Sequence, residues 1–159
     1  MARPTTRLVL PVAAALIAAL LTAVSGATGA APARTQLHFK SPSGNINCFV
    51  FATQGGVADC VVRTATWASI PRKPTSCTLD WAPTEVQLVR SHVTLGACRG
   101  DVGPRCYTGG DRCTVLAYGR SVTIGAVRCV SYPSGITCRR TSGSRPGFLL
   151  ARERVLVYR

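Results

Sequence analysis

Eight cysteines, two histidines, six acidic residues and nineteen lysines and arginines hold the reactive and charged chemistry of this 159-residue chain. Thiolates can ligate a metal or close disulfides, and a histidine beside an acid and a serine can activate a nucleophile. Spacing separates these uses. There is no Cys-x-x-Cys, and His38 and His92 are the only histidines. A zinc ligand set is therefore hard to assemble, and neither a metal nor a cofactor is expected. An even number of cysteines in a small exported chain instead indicates a disulfide framework. The expected pairs join neighbours: Cys48 with Cys60, Cys77 with Cys98, Cys106 with Cys113, and Cys129 with Cys138. The outer two pairs follow from hairpin register, where facing positions bring Cβ atoms close enough to bridge. The inner four cysteines could exchange partners, because Cys98 and Cys106 are close in sequence.

For nucleophilic catalysis, His92 with Asp80 or Asp101 and a serine such as Ser91 is the only assembly available. It has no surrounding motif, and a polar histidine in a short strand is more often a surface residue. The acids Asp59, Asp80, Glu85, Asp101, Asp111 and Glu153 include no pair with a motif around it. Asp80 and Asp101 read first as turn-forming or hydrogen-bonded structural acids. No catalytic residue is expected.

The formal charge is +13, or +11 without Arg3 and Arg7. Such a charge attracts polyanions and anionic envelope surfaces over long range. Arginine heavily outnumbers lysine and alanine is common, as GC-rich coding would produce, and this compositional origin weighs somewhat more than a functional one. Basic residues concentrate late, at Arg139, Arg140, Arg145, Arg152, Arg154 and Arg159. If the first five share a face they form an anion-binding patch; a scattered, solvated surface fits the sequence equally well. Nucleic acid is disfavoured as a partner, since no nucleic-acid fold signature occurs.

The elements that would position these residues begin after a leader. Arg3 and Arg7 precede an apolar run from Leu8 to Val24, and small residues follow through Ala33. This pattern predicts a signal peptide and flexible start over 1–33, cut after Ala27, Ala30 or Ala33, with no membrane span retained. Residues 34–159 are expected to form a single domain. Strands are predicted at Leu37–Ser41, Ile46–Phe51 and Val57–Arg63, with a loop over Ala52–Gly56. A crossing segment, Thr64–Ser76, holds Trp67 as a core plug. A second unit starts at Cys77, with one or two short strands in Val86–Leu95. Arg99–Arg112, rich in glycine and charge, reads as a long surface loop clipped by Cys106 and Cys113. Thr114–Tyr118 and Ser121–Ile124 are expected as strands around a turn at Gly119-Arg120.

The clearest signal is Cys129-Val-Ser-Tyr-Pro-Ser-Gly-Ile-Thr-Cys138, two strands around a turn that Pro133 and Gly135 favour. Pro42-Ser-Gly-Asn-Ile-Asn-Cys48 echoes it, with Asn45 as an insertion and His38 in the place of Cys129. Phe148–Tyr158 is expected as one strand. Short strands, frequent glycine and proline turns and no amphipathic helix predict an all-β fold: a small disulfide-stapled antiparallel sandwich or barrel-like domain.

Taken together, these residues resemble a family of small secreted actinobacterial proteins of unknown function. The resemblance rests on Phe39 with Pro42 to Cys48, on Cys77, Leu79, Asp80 and Trp81, and on Cys98, Gly100 and Asp101. It continues through Leu116 to Gly119, the Cys129–Cys138 hairpin, and Gly147, Phe148, Leu150 and Arg152. The family tail resembles Thr-Gly-His-Gly-Phe-x-Leu-Ser-Arg, but here Arg145 and Pro146 precede Gly147 and Ala151 replaces the serine. A catalytic reading of that histidine and serine therefore fails in this chain. Cys106 and Cys113 look like an additional pair. The resemblance implies secretion, a β-rich disulfide fold and no established activity.

The function expected is a secreted interaction module of unknown ligand, whose partner is an anionic envelope polymer or a protein. The alternatives are an inhibitor of a secreted enzyme, presenting the stapled Cys106–Cys113 loop as a preorganised contact, and, after it, a hydrolase.

Overall fold

Alternation of apolar and polar residues along short strands demands that one face of each be buried, and among the described residues eleven strands meet that demand by forming two sheets. The computed structural model describes residues 33–101, 103–104, 106 and 113–159. Residues 1–32 of the predicted leader and the centre of the glycine-rich segment, including Gly109 and Gly110, lie outside the described residues.

The first sheet has six strands. β1 (Gln36–Lys40), β2 (Ile46–Phe51), β3 (Val57–Val62), β4 (Asp80–Val89) and β5 (His92–Arg99) form an antiparallel meander. The edge beside β1 is closed by β6 (Thr114–Val115), which pairs in parallel. The second sheet orders β11-β10-β9-β8-β7, from β7 (Ser121–Ile124), β8 (Val127–Tyr132), β9 (Gly135–Arg140), β10 (Gly147–Leu150) and β11 (Val155–Tyr158). All its pairings are antiparallel. The sheets are not closed into a barrel, and the fold is an all-β sandwich. Their inner faces share one core, which includes Phe39, Cys48, Val50, Cys60, Val86, Leu88, Ile124, Cys129, Ile136, Cys138, Phe148 and Leu150. Among the described residues no helix is long and apolar enough to cross a membrane.

Sulfur atoms bridge Cys48–Cys60, Cys77–Cys98, Cys106–Cys113 and Cys129–Cys138. Cys48 stands directly opposite Cys60 on β2 and β3, and Cys129 opposite Cys138 on β8 and β9. Each of these two pairs has a Cα–Cα distance of 4.1 Å. The two disulfides point into the core from opposite sheets, and the sulfurs of Cys48, Cys60 and Cys138 lie within 4.8 Å of one another. These sulfurs are bonded in disulfides, so the cluster offers no thiolate to a metal.

Four expectations are corrected. The segment after Cys77 is not a second unit with short strands. β4 and β5 are long, reverse at Arg90-Ser91 and extend the first sheet, because β4 pairs with β3. Thr114–Tyr118 and Ser121–Ile124 do not flank a hairpin turn. Only Thr114–Val115 is a strand, and the chain then crosses between sheets, anchored by Leu116 N–H to Lys40 O (2.9 Å) and Gly119 N–H to Ser131 O (2.8 Å). Phe148–Tyr158 is two strands, because the charged residues Arg152, Glu153 and Arg154 form an exposed turn, closed by Ala151 N–H to Arg154 O at 2.9 Å. Finally, Phe39 rather than His38 faces Cys48. Both echoed hairpins place a buried serine before their turns, Ser41 and Ser131. Register then aligns Ser41 with Ser131 and Phe39 with Cys129, so the repeated Pro-Ser-Gly words sit one residue out of phase.

Candidate functional site

The two echoed turns come together at one end of the sandwich and line a cavity of ≈ 460 Å³. Ser41, Ser43 and Asn45 come from the first turn, and Tyr132 to Gly135 from the second. Gly135 has φ +138, and a Cβ there would meet Leu150 O at 2.3 Å, so the turn packs against β10 only because this residue is glycine. Ser41 Oγ accepts the Ile46 N–H at 3.1 Å and lies 3.0 Å from Ser43 Oγ. Asn45 is more than an insertion. Its Nδ2 donates to Thr64 O (3.1 Å) and its Oδ1 accepts Thr64 N–H (2.9 Å), tying the turn to the exit of β3.

The crossing segment completes this end. Trp67 is buried, as its role as a core plug requires, and its Nε1 donates to Ala151 O at 2.9 Å. Thr66 N–H donates to Arg152 O at 2.7 Å. These bonds fix the β10–β11 turn, so that Arg152 and Glu153 line the cavity while the rings of Tyr118 and Tyr132 stand 47% and 44% exposed. The result is an open site with hydroxyls, two amphipathic aromatic rings, one cation and one carboxylate.

The five late arginines divide between two ends of β10. Arg139, Arg140 and Arg145 gather near its start. The Arg139 guanidinium lies 4.6 Å from the Tyr158 ring centroid, and its Nε donates to Arg145 O at 3.0 Å. Arg140 donates to Gly55 O (3.2 Å) and Gly56 O (3.1 Å). Arg145 is exposed with φ 54. Arg152 and Arg154 lie in the turn at the other end, and of the five Arg152 lines the end cavity. The hydrolase assembly does not form: His92 and Ser91 are at the turn of the β4–β5 hairpin, whereas Asp80 pairs with Arg99 at its open end beside Asp101. Seven residues of strand separate them, roughly 20 Å.

A second site was not anticipated. On β2, β3 and β4 the core-facing residues alternate with Asn47, Asp59, Glu85 and Gln87, which therefore point away from the core. Asn47, Asp59 and Glu85 are nevertheless buried. The cover comes from described residues of the segment joining β5 to β6, the two edges of the sheet. Its described residues include buried Pro104, and Cys106, whose Sγ lies 3.8 Å from Phe39 O. What was expected as a surface loop thus has described parts packed against the outer face of the first sheet.

Under this cover Arg99 holds three carboxylates. Its Nε donates to Glu85 Oε1 and Oε2 at 2.7 and 2.8 Å, its Nη2 contacts both Asp59 and Glu85, and its Nη1 donates to Asp101 Oδ1 at 3.1 Å. Gln87 Nε2 donates to Asp59 Oδ2 (3.0 Å) and Glu85 Oε1 (3.1 Å). Asp101 Oδ1 also accepts the Gly103 N–H at 3.2 Å, the turn-forming role expected of it. Burial pushes the Asp59 carboxyl up to about 7, the Glu85 charge adds to the rise, and Arg99 only partly opposes them. Arg99 is held further above its ordinary value: although burial lowers it, the Glu85 and Asp59 carboxylates raise it more. A bulge helps to place Glu85. Three residues of β4, Pro83 to Glu85, stand against the single Gly96, over which the Trp81 ring lies. A Cβ on Gly96 would meet Trp81 Cζ2 at 2.2 Å.

The family of unknown function DUF6636 matches residues 15–158, and the chain belongs to that family. Neither the curated proteins nor the solved structures contain a match to the chain.

Proposed function

We propose that this member of the family is a secreted binding module that takes an anionic, hydroxyl-rich polymer of the cell envelope at the end cavity. The observation that carries this reading is the pairing of exposed Tyr118 and Tyr132 with Arg152 around a hydroxyl-lined cavity of ≈ 460 Å³. Exposed tyrosines offer an apolar face and a polar tip to a partner that is wet on one side. Arg152 supplies a directional donor for a carboxylate or phosphate, and the strongly basic chain supplies long-range attraction. Secretion is supported by the charged, apolar and small-residue segments of the leader and by the four disulfides, which persist in oxidising compartments.

Binding to an immobilised uronic-acid polysaccharide, set against its neutral parent polysaccharide, tests the reading. Tyr132→Ala and Arg152→Ala should each weaken the acidic polymer about tenfold, as for loss of a charge-assisted contact or an aromatic anchor. The triple change Arg63→Gln, Arg72→Gln, Arg90→Gln should weaken it only through net charge and lose its effect as salt rises. Equal losses from the cavity variants and the triple variant across a salt titration would defeat the reading.

A further inference from the structure

The chain is strongly basic, yet four of its six acids, Asp59, Asp80, Glu85 and Asp101, gather on the outer side of the six-stranded sheet. Three of them, Asp80, Glu85 and Asp101, line a cavity of ≈ 680 Å³ beneath Pro104. That volume suits a small ligand or one inserted side chain. The single guanidinium of Arg99 is shared among Asp59, Glu85 and Asp101, so among the described residues the wall keeps an excess of carboxylate over cation even with Arg63 at its rim. A separate feature states what is lacking. Asn47 lines the same cavity at 3% exposure, and its Oδ1 has no hydrogen-bond partner among the described residues. Asp59 Oδ1, on the neighbouring strand, is likewise buried without a partner. Of the two, Asn47 Oδ1 lines the cavity and is an acceptor, so the group missing there is a donor.

We propose that this cavity binds a primary ammonium group, with Asn47 Oδ1 accepting one N–H and the Asp80 and Asp101 carboxylates balancing the charge. The geometry favours an organic cation over a metal ion. Among the described residues the one set of three ligand-type side chains converging within 4.8 Å is the disulfide cluster, so these carboxylates do not close around an ion. They stand apart, as suits a donor with several N–H groups on a larger body. Trp81, half-buried in the same wall with its Nε1 donating to Pro71 O at 3.0 Å, gives that body an apolar face and gives the experiment a reporter. The group could belong to a free amino sugar or to a lysine side chain of a protein.

Calorimetry and tryptophan fluorescence on the mature chain test this, with two matched pairs of probes: glucosamine against glucose, and Gly-Lys-Gly against Gly-norleucine-Gly, both peptides N-acetylated and C-amidated so that the lysine side chain carries their one ammonium. The expected result is binding of an ammonium probe and at least about tenfold weaker binding of its neutral partner, the ratio for a hydrogen-bonded charge. Binding by glucosamine identifies a free amine, and binding by the peptide alone identifies a side chain; either sustains the proposal. The double variant Asp80→Asn, Asp101→Asn changes two exposed residues and preserves their shape, so it should fold and lose the discrimination. Asn47→Leu should weaken the ammonium probe alone. No binding by either ammonium probe overturns the proposal, as does equal affinity for the neutral partners. Unchanged binding in the double variant would also overturn it, and the wild-type discrimination decides even if a variant misfolds.

Discussion

In the five-stranded sheet and its turns, cations are met by neutral groups; in the six-stranded sheet a cation is met by buried anions. From residue 116 onward the chain has eight arginines and one acid, Glu153. Arg140 is held by carbonyls, Arg139 by a carbonyl and an aromatic ring, and Arg128 by the Ser121 hydroxyl at 3.1 Å. Water can solvate each of these side chains, so each can be lost alone. Arg99, by contrast, stands between Glu85 at 1% exposure and Asp59 at 6%. A buried ionic cluster must be complete, because removing one partner strands the others in a medium that cannot solvate them. One sheet tolerates an excess of charge at its surface, and the other depends on a local balance.

Removing the cation should break this contrast most severely. Arg99→Met leaves Glu85 and Asp59 buried without a counter-charge and should cost about 3–5 kcal/mol. Arg140→Met, which gives up hydrogen bonds to two carbonyls near the surface, should cost about 1 kcal/mol. Urea denaturation of both variants measures the difference, and similar losses would mean that the cluster is not a unit.

The disulfides offer a comparison in which the sheets should behave alike. Cys48–Cys60 closes a separation of 12 residues in one sheet and Cys129–Cys138 closes 9 in the other. Loop entropy gives each about 2.5–3 kcal/mol. Replacing either pair with alanines should therefore destabilise to a similar degree. Their sulfurs meet in the core, so removing both pairs should depart from additivity. A strictly additive result in denaturant melts would show that the two staples act independently.

Proton linkage should distinguish the sheets next. The Asp59 carboxyl titrates near 7 in the fold against an ordinary 3.8. Between those values the folded protein keeps a proton that the unfolded chain has released. Its contribution to stability is thus full below the unfolded value, declines as pH rises, and is lost above about 7. The slope should approach roughly 1.4 kcal/mol per pH unit within that window. Glu85, Arg99 and Gln87 surround the group and set this balance, and Asp101 touches only Arg99 among them. Asp59→Asn should flatten the profile between pH 5 and 7. An unchanged slope in that variant would assign the linkage to other groups.

Local features of this architecture could be read from the chain, whereas its assembly could not. Ile46–Phe51 and Ser121–Ile124 are strands at their expected bounds, because branched residues alternate within clear turn signals. The Cys129–Cys138 register follows from a turn of fixed length. Arg152-Glu153-Arg154 was harder, since a charged triplet inside an apolar run marks a turn only when the flanking strands are known to pair with each other. The ionic cluster was least visible. Arg99 lies 14 residues from Glu85 and 40 from Asp59, and only the meander brings them together. A trace of it did exist: Asp59 interrupts the apolar run Val57 to Val62, and Glu85 and Gln87 alternate with Val86 and Leu88. Period-two alternation places these polar residues on one face, but the bulge and the covering segment that bury them leave no local pattern.

The smallest effect concerns a neutral partner. Arg139 and Tyr158 are joined across Gly147, whose register pairs it with both residues and which has no side chain to separate them. The guanidinium sits 4.6 Å from the ring centroid while Nε keeps its bond to Arg145 O. An exposed cation–π contact contributes about 0.5–1 kcal/mol. A double-mutant cycle of Arg139→Gln and Tyr158→Leu should recover a coupling of that size, insensitive to salt because the ring bears no net charge. The corresponding cycle of Arg99 with Glu85 should give a coupling several times larger, since both single variants leave buried groups unmatched. If the Arg139–Tyr158 coupling proved as large as the buried one, partner charge would not be what separates the two sheets, and desolvation of the arginine itself would have to be the common cause.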